Sequence, residues 1–342
     1  MPLTSDLSLA AAKFQPEAIS QQTHDFNAKL IEIAKTGPKW YEVGAAKYRQ
    51  MRWNGETPLP KPIVLDSGKN IKLPSREPGR EIPCRVFTPD AGQPTKGVFY
   101  HIHGGGWVLQ SEAYQDPMLK YLADQCNLTV VSVGYRLAPE DPYPAGNEDC
   151  FDVGEYLVDH AEKDFGAPLL FVGGDSAGAH YGILTCFKLL ETRPHFSFKG
   201  LVLNFAKPHS FDLSTFLPQA HHFTLPHPLV LDIDIMKHYI SAYLPSTTPT
   251  QRLDPWISPL YANLTRMAGG RLPSALFTCG TSDCLLDDSV MMCAKWQMAG
   301  AEGVLKVYEG APHGFVFYAR EGGTEMTERG LRDIVMYLQE RM

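Results

Sequence analysis

The sequence predicts an α/β protein in which helices cover both faces of a mostly parallel β-sheet. From residue 82 onward, short runs of β-branched and aromatic residues alternate with stretches of helical periodicity, as they do in parallel sheets. The middle runs are apolar at every position, which is typical of strands that are buried on both faces. A chain of 342 residues is long enough to bury a large core of this kind.

Seven runs predict the strands in chain order. They read EIPCRVFTP, GVFYHIH, LTVVSVGY, LLFVGGD, KGLVLNF, SALFTCG and GVLKVYEG. Five stretches between and after them predict helices. These read YLADQC, EDCFDVGEYLVDHA, GAHYGILTCFKLLET, DDSVMMCAKWQMAG and EMTERGLRDIVMYLQERM.

Two further segments are surplus to this alternation. Residues 1–60 contain apolar residues at helical spacing, such as Phe26 and Leu30, and predict an N-terminal helical segment. Residues 206–248 are rich in proline, histidine and aromatic residues, and a loop of this length is usually functional. We therefore expect a helical segment at 1–60 and a main domain at 61–342, with an insertion at 206–248. Both segments would pack over the functional site as a cap.

Composition excludes several classes of protein. The net charge is −7 and no basic run occurs, which argues against a nucleic-acid partner. The longest apolar runs have the length of strands, so no membrane insertion is expected. The first residues lack the basic and apolar regions of a secretory signal, and we expect a cytoplasmic protein. Seven cysteines without a CxxC pair predict reduced, mostly buried thiols.

The stretch LLFVGGDSAGAH, at residues 169–180, is a buried strand that leads directly into a helix. Its residues 174–178 fit the pattern G-x-S-x-G, in which a serine occupies a sharp turn between strand and helix. Small neighbours are needed because the turn brings two backbone segments close together. Ser176 is therefore a candidate nucleophile. The alternative is a glycine-rich loop that binds phosphate, although no lysine follows the last glycine as in a P-loop.

A second glycine motif favours the nucleophile. His103 and three glycines directly follow the predicted strand GVFYHIH. An ester attacked by a serine passes through an oxyanion, which requires preorganised N–H donors. We expect these donors to come from Gly104, Gly105 and Gly106, together with Ala177 after the serine.

Five motifs together resemble the hormone-sensitive-lipase-like branch of the α/β-hydrolases, and they occur in that family's order. They are HGGGW at 103–107, YRLAPEDPYPAGNED at 135–149, GDSAG at 174–178, DPWISPL at 254–260 and PHGF at 312–315. The resemblance covers residues 80–342, whereas residues 1–60 match only in being helical, as the family's N-terminal cap is. It implies an α/β-hydrolase fold with a helical cap.

A serine nucleophile needs an adjacent base, which a third group orients. In this fold the acid and then the histidine follow the serine along the chain. His313 follows the predicted strand GVLKVYEG in a short loop, at the sheet edge where such sites lie. The other histidines after Ser176 precede the last two strands. His313 also falls in the PHGF motif, so we assign it as the base.

Three acids compete for the third position. Asp283 comes first after the strand SALFTCG, whereas Asp287 and Asp288 fall where the next helix starts and would complement its dipole. The family's pattern G-x-x-D-x-L fits residues 280–285 and assigns Asp283. Cys284 stands where the family more often has proline.

Three more residues are expected to support the site without taking part in the chemistry. His103 should orient the oxyanion loop. Asp175 should be held by Arg136 or by backbone donors, and Glu140 matches a family position that braces the site. A purely structural role is the alternative for each.

These residues predict a serine carboxylic-ester hydrolase that acts on short- to medium-chain acyl esters through an acyl-enzyme. Two alternatives stay open: a hydrolase of a specialised ester, lactone or amide, and a non-catalytic small-molecule-binding protein. The plant gibberellin receptors are an example of the second alternative: they resemble the family but lack the catalytic histidine. No metal or cofactor is expected. The expected partner is a small-molecule ester, and a homodimer is left open.

Overall fold

One eight-stranded sheet forms the centre of the computed structural model, which describes residues 8–90, 94–205, 213, 229–318 and 324–342. Its strands are β1 (Lys69–Pro74), β2 (Glu81–Phe87), β3 (Val98–Ile102), β4 (Thr129–Val133), β5 (Leu169–Asp175), β6 (Gly200–Asn204), β7 (Ala275–Gly280) and β8 (Gly303–Tyr308). Their order across the sheet is β1-β2-β4-β3-β5-β6-β7-β8. β2 runs antiparallel to β1 and β4, and all the other pairs are parallel. This confirms the predicted mostly parallel sheet.

All seven runs that predict strands form strands, and every residue of β3, β4, β6 and β7 is buried. β1 is a strand that none of the seven runs predicts. Its sequence, KNIKLP, is largely exposed and polar, and it pairs only with β2 at the edge of the sheet. Edge strands often carry lysine, as β1 does at Lys69 and Lys72. Such a strand lacks the apolar run that identifies a central strand.

Helices flank the sheet and also precede it. They are α1 (Gln21–Thr36), α2 (Trp40–Val43), α3 (Ala45–Asn54), α4 (Asp116–Cys126), α5 (Ala145–Phe165), α6 (Ala177–Thr192), α7 (Ile233–Tyr243), α8 (Leu264–Ala268), α9 (Leu286–Met298) and α10 (Glu325–Gln339). The five predicted helices correspond to α4, α5, α6, α9 and α10. No helix within the described ranges is both long enough and apolar enough to cross a membrane.

The N-terminal helices pack on the carboxyl-terminal side of the sheet. α1 begins after Ser20, whose Oγ accepts a hydrogen bond from the amide of Thr23 at 3.3 Å. From the same helix, the buried Asn27 Nδ2 donates to the carbonyl oxygen of Gly310 at 2.9 Å. α1 therefore contacts the loop that follows β8.

α2 contacts the described part of the 206–248 segment. The Trp40 ring stacks on the Tyr239 ring of α7, with centroids 5.0 Å apart, and Tyr41 stacks on His238 at 3.7 Å. Residues 206–212 and 214–228 lie outside the described residues. The contact between the two surplus segments is therefore established through α7.

The seven cysteines form no disulfide and are all buried. Burial raises the pKa of six of these thiols, for example to about 12 for Cys126 and about 11 for Cys293. The predicted buried thiols are thus observed, and they serve as small apolar side chains in the core.

Candidate active site

Ser176 lies at a sharp turn between β5 and α6. Its backbone has φ 60° and ψ −116°, and its amide donates to the carbonyl oxygen of Asn204 at 2.9 Å. A Cβ added to Gly178 would lie 1.9 Å from the carbonyl oxygen of Ile102, and one on Gly174 would lie 2.4 Å from the backbone of Gly178. The flanking glycines are therefore required by close backbone approach, as the sequence pattern predicts.

A chain of two hydrogen bonds joins the serine to a histidine and an acid. Ser176 Oγ lies 3.0 Å from His313 Nε2, and His313 Nδ1 lies 3.0 Å from Asp283 Oδ2. Because a carboxylate only accepts, the hydrogen is assigned to Nδ1, which leaves Nε2 free to accept the serine proton. All three side chains are buried. The arrangement is suited to nucleophilic catalysis by an activated hydroxyl group.

Asp283 is the one of the three candidate acids that contacts His313. It follows β7 directly, and its Oδ1 accepts from the amide of Leu285 at 3.1 Å, which orients the carboxylate. Asp287 and Asp288 lie in the first turn of α9, at the position where their charge complements the helix dipole.

The three glycines after His103 pack directly against the serine turn. A Cβ on Gly104 would lie 2.7 Å from the carbonyl oxygen of Asp175, and Gly105 and Gly106 have φ of 104° and 65°. Among the described residues, no acceptor pairs with the amides of Gly105, Gly106 or Ala177. Gly104, Gly105, Gly106 and Ser176 line one cavity. Free amides beside a nucleophile are what an oxyanion hole requires.

His103 supports the loop of the three glycines through a hydrogen bond and a ring contact. Its Nδ1 donates to the carbonyl oxygen of Gly104 at 2.8 Å, and its ring stacks on Tyr135 with centroids 4.2 Å apart. Burial lowers the pKa of His103 to about 3, so the ring is neutral at physiological pH. Its contacts fit a residue that orients the loop rather than one that transfers protons.

Asp175 differs from the sequence-based expectation in its partner. Arg136 does not hold Asp175: its guanidinium pairs with Asp149, at 3.0 Å. Asp175 Oδ2 instead accepts from His101 Nε2 at 2.8 Å, and Oδ1 accepts from Asn204 Nδ2 at 2.9 Å. Arg136 was the wrong partner because the donors come from β3 and β6, the two strands that neighbour β5. Both donors lie far from Asp175 along the chain.

These contacts belong to a longer chain of polar side chains, which we call the sheet chain. Its members are Ser132, His101, Asp175, Asn204 and Thr278. They lie on β4, β3, β5, β6 and β7, in the spatial order of the strands. Ser132 Oγ is 3.0 Å from His101 Nδ1, and Thr278 Oγ1 donates to Asn204 Oδ1 at 2.7 Å. The chain thus links five adjacent strands next to Ser176.

Asp175 is the one member of the sheet chain that was predicted as a site residue from the sequence. The signal that could have found the other members is a polar residue near the end of an otherwise apolar strand, as in His101 and Asn204. Glu140 was predicted from the sequence as a supporting residue, but its partner Arg49 was not. The Oε1 atom of Glu140 accepts from Nη2 of Arg49, on α3, at 2.6 Å. Arg49 Nη1 donates to the carbonyl oxygen of Val108 at 2.7 Å, so the pair braces the chain just after the oxyanion loop.

A cavity of about 970 Å³ opens onto Ser176 and His313. Its wall includes residues of α1, α2, α3 and α7 as well as of the sheet domain. Aromatic side chains dominate the part contributed by the N-terminal helices, among them Trp40, Tyr48 and Trp53. A large and mainly apolar cavity next to a nucleophile is typical of a small-molecule binding site.

With this geometry in place, comparison with known proteins identifies the family. The family model described as the α/β-hydrolase fold matches residues 99–317. The chain belongs to the α/β-hydrolase family. The matched family is that of the hormone-sensitive-lipase-like esterases, which confirms the resemblance seen in the motifs.

Two relatives and a solved structure resemble this α/β-hydrolase over most of their length. An AB hydrolase superfamily protein of Schizosaccharomyces pombe is 31% identical over 271 residues, which are 77% of this chain and 76% of the relative. An ethyl acetate hydrolase of Pseudomonas putida is 28% identical over 281 residues, 81% of this chain and 84% of the relative. The structure of a hyperthermophilic esterase from Pyrobaculum calidifontis aligns with a TM-score of 0.78 at 26% identity, over 94% of this chain and 98% of that one.

Other relatives and structures that match this chain carry the names esterase and carboxylesterase. The α/β-hydrolase described here is a carboxylic ester hydrolase, and the predicted fold class and class of enzyme are confirmed.

Proposed function

We propose that this enzyme hydrolyses short- to medium-chain carboxylic esters, with Ser176 as nucleophile, His313 as general base and acid, and Asp283 as the group that orients His313. The contacts from Ser176 Oγ to His313 Nε2 and from His313 Nδ1 to Asp283 Oδ2, each 3.0 Å, carry the proposal. They join the three groups in the sequence that a serine hydrolase needs.

In the first half of the reaction, Ser176 Oγ bonds to the acyl carbon while its proton passes to His313 Nε2. The carbonyl oxygen becomes an oxyanion, to which the amides of Gly105, Gly106 and Ala177 donate, with Gly104 shaping the same loop. Collapse of this intermediate breaks the bond to the alcohol oxygen. The alcohol leaves with the proton from His313, and the acyl group stays on Ser176.

In the second half, a water molecule gives its proton to His313 Nε2 and attacks the acyl carbon. The oxyanion then collapses, the bond to Ser176 Oγ breaks, and Ser176 regains a proton from His313. Asp283 accepts the Nδ1 hydrogen bond throughout and stabilises the imidazolium form. The roles of His103, Asp175 and Glu140 are to hold the oxyanion loop, the serine turn and the chain after the loop.

The preference for short and medium acyl chains is supported by the aromatic lining of the cavity, to which Trp40, Tyr48 and Trp53 contribute. Aromatic residues of the N-terminal helices cover a space that suits acyl chains of ~2 to 8 carbons and a modest alcohol. A relative with the name ethyl acetate hydrolase fits an acyl group of this size. We further propose that residues 1–60 and 206–248 together form the cap, which is supported by the stacking of Trp40 and Tyr41 on α7.

The proposal is tested with 4-nitrophenyl esters of acids from two to sixteen carbons, and with matched lactones and anilides. We expect kcat/KM to peak within the short to medium chains and to fall steeply beyond them. Faster turnover of the lactones or anilides would replace the ester assignment. Tight binding without turnover of any of them would favour a binding protein.

The cap is tested by removing residues 1–40, which takes away α1 and Trp40. We expect lower turnover and an altered chain-length profile, because both the cavity wall and the support of Gly310 are lost. Circular dichroism reports whether the sheet domain persists. Unchanged rates and an unchanged profile would exclude these residues from the cap.

A further inference from the structure

The cavity wall contains buried polar groups that no other part of the described protein pairs with. They are both amide atoms of Gln115, Nε1 of Trp40 and Oε1 of Gln110. All three residues line the cavity that holds Ser176 and His313. A buried polar group without a hydrogen bond is costly, so most such groups have a partner. For groups in a cavity wall, the partner comes from outside the chain: water in the free enzyme and substrate in the complex.

Gln115 is the clearest of these groups. It directly precedes α4, and its backbone carbonyl accepts from the amides of Met118 and Leu119, each at 3.0 Å. Its side chain makes no capping bond with the helix and is only 5% exposed. The side chain therefore serves neither the helix nor the surface, and its donor and its acceptor are both available to a molecule in the cavity.

Two of the three residues, Trp40 and Gln110, lie near the oxyanion loop. Trp40 stacks on Tyr239, and the Tyr239 ring approaches Gly106 so closely that a Cβ there would be 2.4 Å from it. A Cβ on Gly105 would be 3.2 Å from Gln110 Cγ. Trp40 and Gln110 therefore belong to the part of the cavity wall that adjoins the oxyanion loop.

Two arginines in the same wall, Arg52 and Arg49, are already paired. Arg52 Nη1 donates to Thr57 Oγ1 at 2.8 Å and to the carbonyl oxygen of Leu59 at 2.7 Å, and Nη2 donates to that of Pro60 at 2.9 Å. Arg49 is held by Glu140 and by the carbonyl oxygen of Val108. The unpaired groups are neutral, two donors and two acceptors in kind, and they match a neutral ligand group better than an anion.

We propose that Gln115, Trp40 and Gln110 form a polar subsite that binds a hydroxyl or amide group of the substrate, on an otherwise apolar body. Such a group both donates and accepts, as the Gln115 amide requires. The inference rests on the proposed function and narrows it: the preferred substrate is an ester with a second, neutral polar group, rather than a plain alkyl ester.

The test compares pairs of esters that differ only by a hydroxyl group in place of a methyl group. For the acyl side the pair is 4-nitrophenyl 6-hydroxyhexanoate and 4-nitrophenyl heptanoate. For the alcohol side it is the monoacetate of hexane-1,6-diol and heptyl acetate. We expect the hydroxylated ester to have at least ~10-fold higher kcat/KM in one of the two pairs, because the plain ester leaves the subsite unpaired. The pair that shows the preference identifies the side of the ester that carries the polar group.

Gln115→Met removes both hydrogen-bonding atoms at nearly constant shape. It should reduce the preference to within ~3-fold while hydrolysis of the plain ester continues. Gln125→Met is the matched control, because Gln125 lies in α4, the helix that Gln115 precedes, but is exposed. Trp40→Phe removes the indole N–H donor while keeping an aromatic ring, and it gives a second, independent variant, which should also lower the preference.

The outcomes separate the subsite from the function on which it rests. Failure of the wild-type enzyme to hydrolyse even the plain esters would overturn the proposed function, and the subsite with it. Turnover of the plain esters without a hydroxyl preference in either pair would overturn the subsite alone. A preference that survives both Gln115→Met and Trp40→Phe would do the same.

Discussion

Two sets of buried polar side chains lie near Ser176, one in the sheet and one in the cavity wall, and they differ in how they are paired. In the sheet chain, from Ser132 through His101, Asp175 and Asn204 to Thr278, each side chain bonds to the next at 2.7 to 3.0 Å. In the cavity wall, the side chains of Gln115, Trp40 and Gln110 have polar atoms that are buried but unpaired within the described protein.

The difference reflects what each region has to do. A fully hydrogen-bonded network in the interior is rigid, and it holds the serine turn at a fixed position relative to five strands. Polar groups in a cavity wall are kept unpaired because their partner is a molecule that enters and leaves. Pairing within the protein therefore distinguishes groups that support the nucleophile from groups that face the substrate.

The largest effect is expected at Ser176, which lines the cavity and directly follows Asp175 of the sheet chain. Ser176→Ala should lower kcat for ester hydrolysis by about 10⁶-fold, because the nucleophile of the triad is lost. Neither set of polar groups is altered, so the unfolding midpoint should change little. Rates on 4-nitrophenyl butyrate and urea unfolding curves provide the two measurements.

An organophosphate should label Ser176 and leave Ser258 unmodified. Ser258 is fully buried and its Oγ accepts from the amide of Leu213 at 2.7 Å. Mass spectrometry of peptides locates the label, and modification of Ser258 would contradict the assignment.

The next effect concerns the acid that orients His313. Asp283→Asn should lower kcat by up to ~10⁴-fold, because an amide no longer holds the imidazole in the required tautomer. Asp287→Asn is the matched control in the first turn of α9, and it should change the free energy of unfolding by less than about 1 kcal/mol. Equal losses of activity in the two variants would argue against Asp283 as the orienting acid.

A third experiment applies nearly the same change to each region. Asn204→Leu leaves Asp175 Oδ1 and Thr278 without their partner, and it should lower the free energy of unfolding by about 3 kcal/mol. Gln115→Met leaves no protein group unpaired, and it should alter this free energy by less than about 1 kcal/mol. Urea unfolding at pH 7 measures both. A similar loss in the two variants would remove the distinction between the regions.

His103 combines both kinds of polar group, since its Nδ1 is bonded and its Nε2 is unpaired within the described protein. Burial lowers its pKa from 6.5 to about 3, so between these values the unfolded chain binds a proton that the folded protein does not. The contribution of His103 to the free energy of unfolding is therefore fully present above pH 6.5, and it is lost as the pH falls towards 3. Replacement by glutamine, His103→Gln, keeps a donor for Gly104 but removes the titration.

Between pH 6.5 and 4.5 the wild-type protein should lose about 2 to 3 kcal/mol more stability than His103→Gln. Urea unfolding of both proteins at the two pH values gives this difference, because the other titrating groups are common to both. Parallel losses in the two proteins would show that His103 does not contribute.

Most of the fold follows from patterns that are local in sequence. Seven apolar runs predict seven of the eight described strands, and the polar edge strand β1 is missed because one-sided pairing leaves no apolar run. The serine turn is predictable in the same way, since the close approach of Gly178 to Ile102 permits only glycine. Local patterns succeed here because they record backbone conformation and burial, which neighbouring residues determine together.

By itself, then, the sequence determined the sheet, the serine turn, the oxyanion loop and the order of the three candidate catalytic residues. The tertiary structure decided which buried polar groups are paired. It gave Asp175 the donors His101 and Asn204 rather than Arg136, and it left the Gln115 side chain in the cavity wall without a partner. The physical reason is that a hydrogen bond between side chains depends on the relative position of elements far apart along the chain. A residue's type states what it can donate or accept, but only the packed structure states whether a partner is within reach.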